Sequence, residues 1–275
     1  MVAPARRVPG VSAMTRSLAF EPRLIGVSGL LFAASAATTI AWCASMSAMD
    51  MSMPGGWTMS MAWMRMPDQT WSGAAASFLG MWTVMMVAMM LPALVPTLRR
   101  YAAAWADTDG SPVGRRVAVA GAAYFSVWAA AGLALFPAGA ALAAIEMDRP
   151  AVARAVPVAI AAVLLIAGAW QFSAAKARAL ACCGSALGHG PAATAGGRAA
   201  WRDGLRLGVQ CLRCCGNLMA VLVAVGVMDL ATMGLVTAAI TAERVAPAGA
   251  RAAGAIGVVL LAAGVVALVR AVGGA

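Results

Sequence analysis

The 275-residue chain is 63% hydrophobic and only 11% charged, with a mean hydropathy of +0.85. A water-soluble domain carries roughly 25% charged residues, so this composition excludes a soluble globular protein and points to one membrane domain. The net charge of +10 does not indicate a nucleic-acid binder: the basic residues lie in short stretches between apolar runs, where they set membrane orientation, and do not cluster on one solvated face.

Crossing the hydrocarbon core takes about 20 mostly apolar residues in a helix. The chain opens with a basic arm, residues 1–23, followed by the first such run, Leu24–Cys43. That run is longer than the core of a signal peptide and no small-x-small cleavage site follows, so it is read as a retained span. Further runs are Phe78–Leu98, Val117–Ala141, Ala155–Ala175, Leu218–Ile240 and Ala252–Val269. The fold class is therefore all-α, a polytopic bundle of about six transmembrane helices over residues 24–271. It has an outer loop at 44–77 and a Cys-containing cytoplasmic loop at 176–215. Ala and Gly in several spans favour close helix contact in lipid. No internal repeat is visible.

Fifteen of the 20 basic residues fall on one side of these spans: Arg6, Arg7, Arg16, Arg23, Arg99, Arg100, Arg115, Arg116, Lys176, Arg178, Arg198, Arg202, Arg206, Arg213 and Arg270. Arg65, Arg149, Arg154, Arg244 and Arg251 fall on the other. The positive-inside rule then places both termini in the cytoplasm of a bacterial-type inner membrane.

Sulfur carries the functional signal. The outer loop holds Met46, Met49, Met51, Met53, Met59, Met61, Met64 and Met66 among Ser, Gly, Pro54 and Pro67. Methionine is normally a core filler. So many thioethers in an exposed loop fit capture of a soft cation, because thioether sulfur selects Cu(I) over Zn²⁺ or Mg²⁺. Trp57, Trp63 and Trp71 are placed to cover a cation with a ring face or to anchor the loop at the interface. The alternative is an interfacial amphipathic segment using Met as generic apolar contact.

In the second span Met81, Met85 and Met89 recur at helical spacing, with Met86 and Met90 beside them, ahead of Pro92 and Pro96. This stripe is either a ladder for a soft cation or a packing face. The fifth span carries Cys211, Cys215, Met219, Leu222, Gly226, Asp229 and Met233 at steps of four and three, one face of a continuous helix. Cys214 adds a third thiol, and Cys182, Cys183 and His189 lie in the preceding loop. In a reducing compartment these thiols suit a soft metal, while a structural Zn²⁺ site joining both clusters is the alternative. Asp229 is placed mid-span, where an ionisable group either couples protons to cation movement or bonds as a neutral carboxyl to Thr83 or Gln171. Cys43 has no evident partner and reads as a small apolar residue.

The run Met81-Trp82-Thr83-Val84-Met85-Met86-Val87-Ala88-Met89-Met90-Leu91-Pro92, with Gln210 to Met219 and Gly226-Val227-Met228-Asp229-Leu230, resembles the predicted metal-binding integral membrane proteins of domain of unknown function 2182, over roughly Trp71 to Val269. The family pattern has Asn where this chain has Asp229, and a Trp near Gly216–Asn217. The Met-rich loop also looks like the thioether motifs of Ctr-type copper transporters, a local likeness without a shared fold. The resemblance implies a membrane metal binder.

Together these readings describe a non-enzymatic copper-handling protein. Cu(I) would pass from the outer loop through the Met ladder to the cytoplasmic thiols, with Zn²⁺ as an alternative occupant of the cysteines. The partners expected are membrane lipid, a copper chaperone or copper-enzyme assembly factor, and a second copy in a homo-oligomer, but no nucleic acid. A mercuric or other soft-metal transporter and a non-transporting scaffold for a copper enzyme are the rivals. No nucleophile–base pair or carboxylate dyad supports an enzyme.

Overall fold

The computed structural model describes residues 11–47, 51–106, 112–185, 196–246 and 248–273. Its elements are α1 (Val11–Ser47), β1 (Met51–Met53), β2 (Trp57–Met59), α2 (Trp71–Ala106), α3 (Val113–Asp148), α4 (Pro150–Trp170), α5 (Ala174–Ser185), α6 (Gly197–Val225), α7 (Leu230–Val245) and α8 (Gly249–Gly273). Six helices, α1 to α4, α6 and α8, are long and apolar enough to cross a membrane, with mean hydropathies of 1.6 to 2.6.

Helix α2 is central: 61% of its most apolar stretch is buried, against 44% or less in the other five. It packs on α1, α3 and α7 and runs without a break through Pro92 and Pro96. Small residues set the other principal contacts. On α6, a Cβ at Gly204 would collide with the carbonyl oxygen of Ala120, and one at Gly208 with Val127, so α3 and α6 touch backbone to backbone. Gly168 of α4 and Gly257 and Gly264 of α8 bring those two helices together in the same way. Arg149 alone separates α3 from α4, with Pro150 in the first turn of α4, where its missing N–H has no partner to lose. Because α3 packs chiefly on α6 and α4 chiefly on α8, the two helices diverge from this joint and leave a cavity between them.

The fifth expected span, Leu218–Ile240, is not one helix. Helix α6 begins at Gly197 and ends at Gly226, whose φ of +151° is a conformation side-chain-bearing residues rarely adopt. Asp229 then caps α7 by accepting from the Thr232 N–H. Asp229 is exposed, not buried mid-span, and neither Thr83 nor Gln171 is its partner in any observed bond. The continuous face ends at Leu222, and Met233 belongs to a different helix.

The short helix α7 also changes the order of the ends. Glu21 of α1 pairs with Arg99 of α2 at what we call the basic end, and the β-hairpin closes the other. Helix α7 runs from just after Met228, which lies against Cys43 near the hairpin end, to Glu243, against Lys176 and Gln171 at the basic end. Helix α8 then returns antiparallel to α4, with Gly257 against Gln171 and Gly264 against Leu165. Glu21 and Gly273 therefore lie at opposite ends of the bundle. Arg244 and Arg251 move to the basic end and Arg270 leaves it.

Candidate metal centre

The centre is built around Cys211 on α6. Cys211 and Cys215 are one helical turn apart, and their sulfurs lie 3.8 Å from each other. Met90 of α2 brings its Sδ to 4.0 Å from Cys211 Sγ. Cys211 is 1% exposed, and Cys214, Cys215 and Met90 are fully buried. The three cysteines are free thiols. Two donors converge on the Cys211 sulfur: the Tyr124 hydroxyl of α3 at 2.9 Å and Arg244 Nη1 of α7 at 3.2 Å. The glycine contacts at Gly204 and Gly208 bring α3 close enough for the Tyr124 bond to form.

Beneath it lies a buried polar network. Lys176 Nζ donates to the Cys214 carbonyl at 2.7 Å, to Glu243 Oε2 at 2.6 Å and to Asn217 Oδ1 at 3.4 Å. Gln171 Nε2 donates to the other Glu243 oxygen at 2.7 Å. Both side chains of the Lys176–Glu243 pair are fully buried. Glu243 lies outside the six long helices, and burial holds its carboxyl above the ordinary carboxylate range, with Lys176 opposing. Cys183, on α5, donates to the Gln210 carbonyl at 3.8 Å, and its hydrogen bond with Cys214, then its burial, push its thiol up.

The expected site residues divide accordingly. Cys211, Cys214 and Cys215, expected where the cytoplasmic loop meets the fifth span, lie in the interior of α6, because that helix starts at Gly197 with a polar, amphipathic first half. Cys183 joins them, while Cys182 is exposed and borders a pocket of about 530 Å³ with Arg178 and Arg213. His189 and Met49 lie outside the described residues. Among the described residues, no group of three or more His, Cys, Asp and Glu side chains is placed to hold a metal. The donor set around Cys211 is instead two thiols and a thioether. Cys43 does have a partner, with Met228 Sδ at 3.7 Å.

Met81, Met85, Met86 and Met89 are all buried with Met90 in the core around α2, as is Met219 of α6. The Met-rich loop is not the open, water-exposed segment its composition suggests. Pro54 and Gly55 form a tight turn, with the Gly56 N–H bonded to the Met53 carbonyl, and pair Met51 with Met59 across a hairpin. Trp57 donates to the Ala153 carbonyl at 2.9 Å, Trp63 packs on Gly139 and Phe78, and Arg65 covers Trp71. Met59 is consequently buried, Met46, Met53, Met61, Met64 and Met66 are half-buried, and Met51 remains exposed.

Tyr124, Arg244 and Lys176 were not expected at the site. The distribution of basic residues between the apolar runs puts Arg244 on the opposite side. The signal that relocates it is the Gly226-x-x-Asp229 break, a helix stop followed by an N-cap residue. Nothing local in the sequence marks Tyr124.

No curated protein and no solved structure matches the chain. Residues 79–267, which include α2 from its third turn through most of α8 and every side chain of the centre, match the family PpoB2, described as copper chaperone. That supports the copper-related content of the resemblance, without its catalogue name or its membrane label, and it gives the chain a copper-handling role. The chain belongs to this copper chaperone family.

Proposed function

We propose that this protein is a multi-pass membrane protein that receives Cu(I) at its hairpin end and holds it at Cys211, Cys215 and Met90 for delivery to a copper enzyme or its assembly factor. The observation that carries the reading is the buried trio of soft donors. Two sulfurs 3.8 Å apart fit a shared ion with bonds of about 2.3 Å at an angle of about 110°, taking the length from zinc–thiolate bonds. Thiolate and thioether donors favour Cu(I) among biological cations. Two thiolates and Cu(I) leave one negative charge, which Arg244 beside Cys211 would balance.

Membrane insertion is supported by the exposed apolar side chains on the outer helices, among them Leu30 at 74%, Leu235 at 72% and Val259 at 67%. Such a surface is untenable in water. The basic end then faces the cytoplasm, since it gathers Arg99, Arg100, Lys176, Arg206, Arg213, Arg244 and Arg251. Inward movement follows the gradient in ligand strength from neutral thioethers near the hairpin to thiolates at the basic end.

The test is an anaerobic Cu(I) titration of the detergent-purified protein against a chromophoric competitor, with Zn²⁺ in parallel. The reading expects tight Cu(I) binding that Cys211→Ser with Cys215→Ser removes. Tight Zn²⁺ binding with no cysteine-dependent Cu(I) would overturn it.

A further inference from the structure

The proposed centre is sealed. Met85, Met86 and Met90 are at most 1% exposed, as are Cys211 and Cys215, so an ion cannot reach them directly from solvent. Two large concavities approach them. One, of about 880 Å³, lies between α1, α2 and α7, is bordered by Met85, Met89 and Met233, and opens among exposed apolar side chains such as Phe32 and Ile40. It has no ionisable group in its wall.

The other, of about 910 Å³, is the space left where α3 and α4 diverge. Its mouth is formed by the hairpin, with Trp57 and Met59, and by the α6–α7 turn, with Glu146 as the one carboxylate in its wall. Its inner reach is lined by Trp82, Trp128, Leu212, Gly216 and Met219. From Val225 to Leu212 along α6 this is a depth of about 20 Å at the helical rise. Met219 sits one helical turn from Cys215, on the same face of α6. The Trp128 indole N–H is buried without a hydrogen-bond partner, a polar group at the inner reach of the cavity.

From this geometry we propose that the α3–α4–α6 cavity is the inlet through which Cu(I) reaches the cysteine centre, entering the cavity and binding first to Met59 in its wall, then to Met219 and then to Cys215. This rests on the proposed function and names its route. Glu146 draws the cation to the mouth. Tryptophan faces along the wall offset part of the lost hydration. The thioethers at the two ends bind without a charge that would trap the ion. No oxidation state changes: Met59 releases Cu(I) into the cavity, Met219 binds it at the inner end, and Cys215 takes it from Met219 by ligand exchange, its thiol proton leaving through the cavity to bulk water.

Two glycines allow a direct test, because a Cβ at Gly216 or at Gly234 meets no atom within 4 Å. Gly216→Phe plugs the proposed inlet, and Gly234→Phe fills the other groove. Anaerobic stopped-flow transfer from a chromophoric Cu(I) complex to the full-length protein in detergent reads the rate, and its end point reads the stoichiometry. The inlet predicts that Gly216→Phe slows loading by at least about tenfold, a barrier of about 1.4 kcal/mol, at unchanged stoichiometry, with Gly234→Phe loading at the wild-type rate. Met59→Leu, remote from the centre, slows loading in the same sense. Should Gly216→Phe not fold, Ala220→Cys in the same wall, blocked with a bulky maleimide, replaces it, with the blocked wild type as reference. Wild-type rates in the plugged proteins, with Cu(I) bound normally, overturn the inlet alone and leave the cavity to a lipid chain. A wild type that binds no Cu(I) overturns the function and the inlet together.

Discussion

The Lys176–Glu243 pair offers a quantitative test of how the centre is supported. Both side chains are fully buried and joined at 2.6 Å. Lys176 also holds the Cys214 carbonyl and Glu243 holds Gln171. Glu243→Leu leaves a buried ammonium without its counter-charge, and breaking such a pair costs about 3–5 kcal/mol. Combining it with Lys176→Met removes the orphaned charge, since replacing a buried pair by apolar side chains is often close to neutral. What remains is the loss of partners at the Cys214 carbonyl and Gln171, about 1–3 kcal/mol. The double variant should therefore be more stable than the single by roughly 2 kcal/mol. SDS titration in mixed micelles, followed by tryptophan fluorescence, measures both. A single variant within about 1 kcal/mol of wild type, or a double variant no better than the single, would refute the reasoning. The pH dependence has a definite sign. Burial raises the Glu243 carboxyl in the folded protein, so its contribution is complete below the ordinary carboxylate value of about 4 and is lost as pH rises through the raised value. Wild type should lose stability relative to Glu243→Gln as pH climbs from that point, and a parallel course would contradict the assignment.

Other predictions concern the centre and its frame. Tyr124→Phe and Arg244→Met each remove one donor from Cys211 Sγ and should weaken Cu(I) binding about 10–100-fold at unchanged stoichiometry, as loss of an outer-shell partner does; the competitor titration reads this. Gly204→Leu drives a side chain into the Ala120 carbonyl and should destabilise by about 1–3 kcal/mol or more while lowering Cu(I) affinity, measured on the same preparations. Asp229→Asn keeps the cap of α7, since Asn and Asp cap equally well, whereas Asp229→Ala should cost about 1 kcal/mol. Copper loading that becomes pH-independent only in Asp229→Asn would restore the proton-coupling role first expected of that residue.

The long helices were legible because an apolar run of sufficient length leaves the chain few alternatives to a membrane helix. The first four runs and the last lie on α1 to α4 and α8, with ends displaced by several residues, as at α4, which spans Pro150–Trp170 where Ala155–Ala175 was expected. The error at α6 and α7 has a plain cause. The first half of α6 carries Arg198, Arg202, Asp203 and Arg206, and a search for apolar runs discards it, while the apolar residues of α7 are appended to α6 across the Gly226 break. The pairing of Cys211 with Cys215 could be read from their spacing. The remaining members could not, because Arg244, Tyr124 and Met90 stand 33, 87 and 121 residues away. Only the packing of α2, α3 and α7 on α6 brings them together. Composition overstated the exposure of the Met-rich loop, since Trp57 and Trp63 anchor it to α4 and α3.

The most direct test of the account is copper K-edge X-ray absorption on the Cu(I)-loaded protein, beside its Met90→Leu and Cys211→Ser/Cys215→Ser variants. The account predicts sulfur-only coordination at about 2.3 Å, comparable with other thiolate-bound metals, with one scatterer fewer in Met90→Leu and the signature lost in the double variant. Nitrogen or oxygen ligands, or a spectrum the cysteine substitutions leave unchanged, would contradict it.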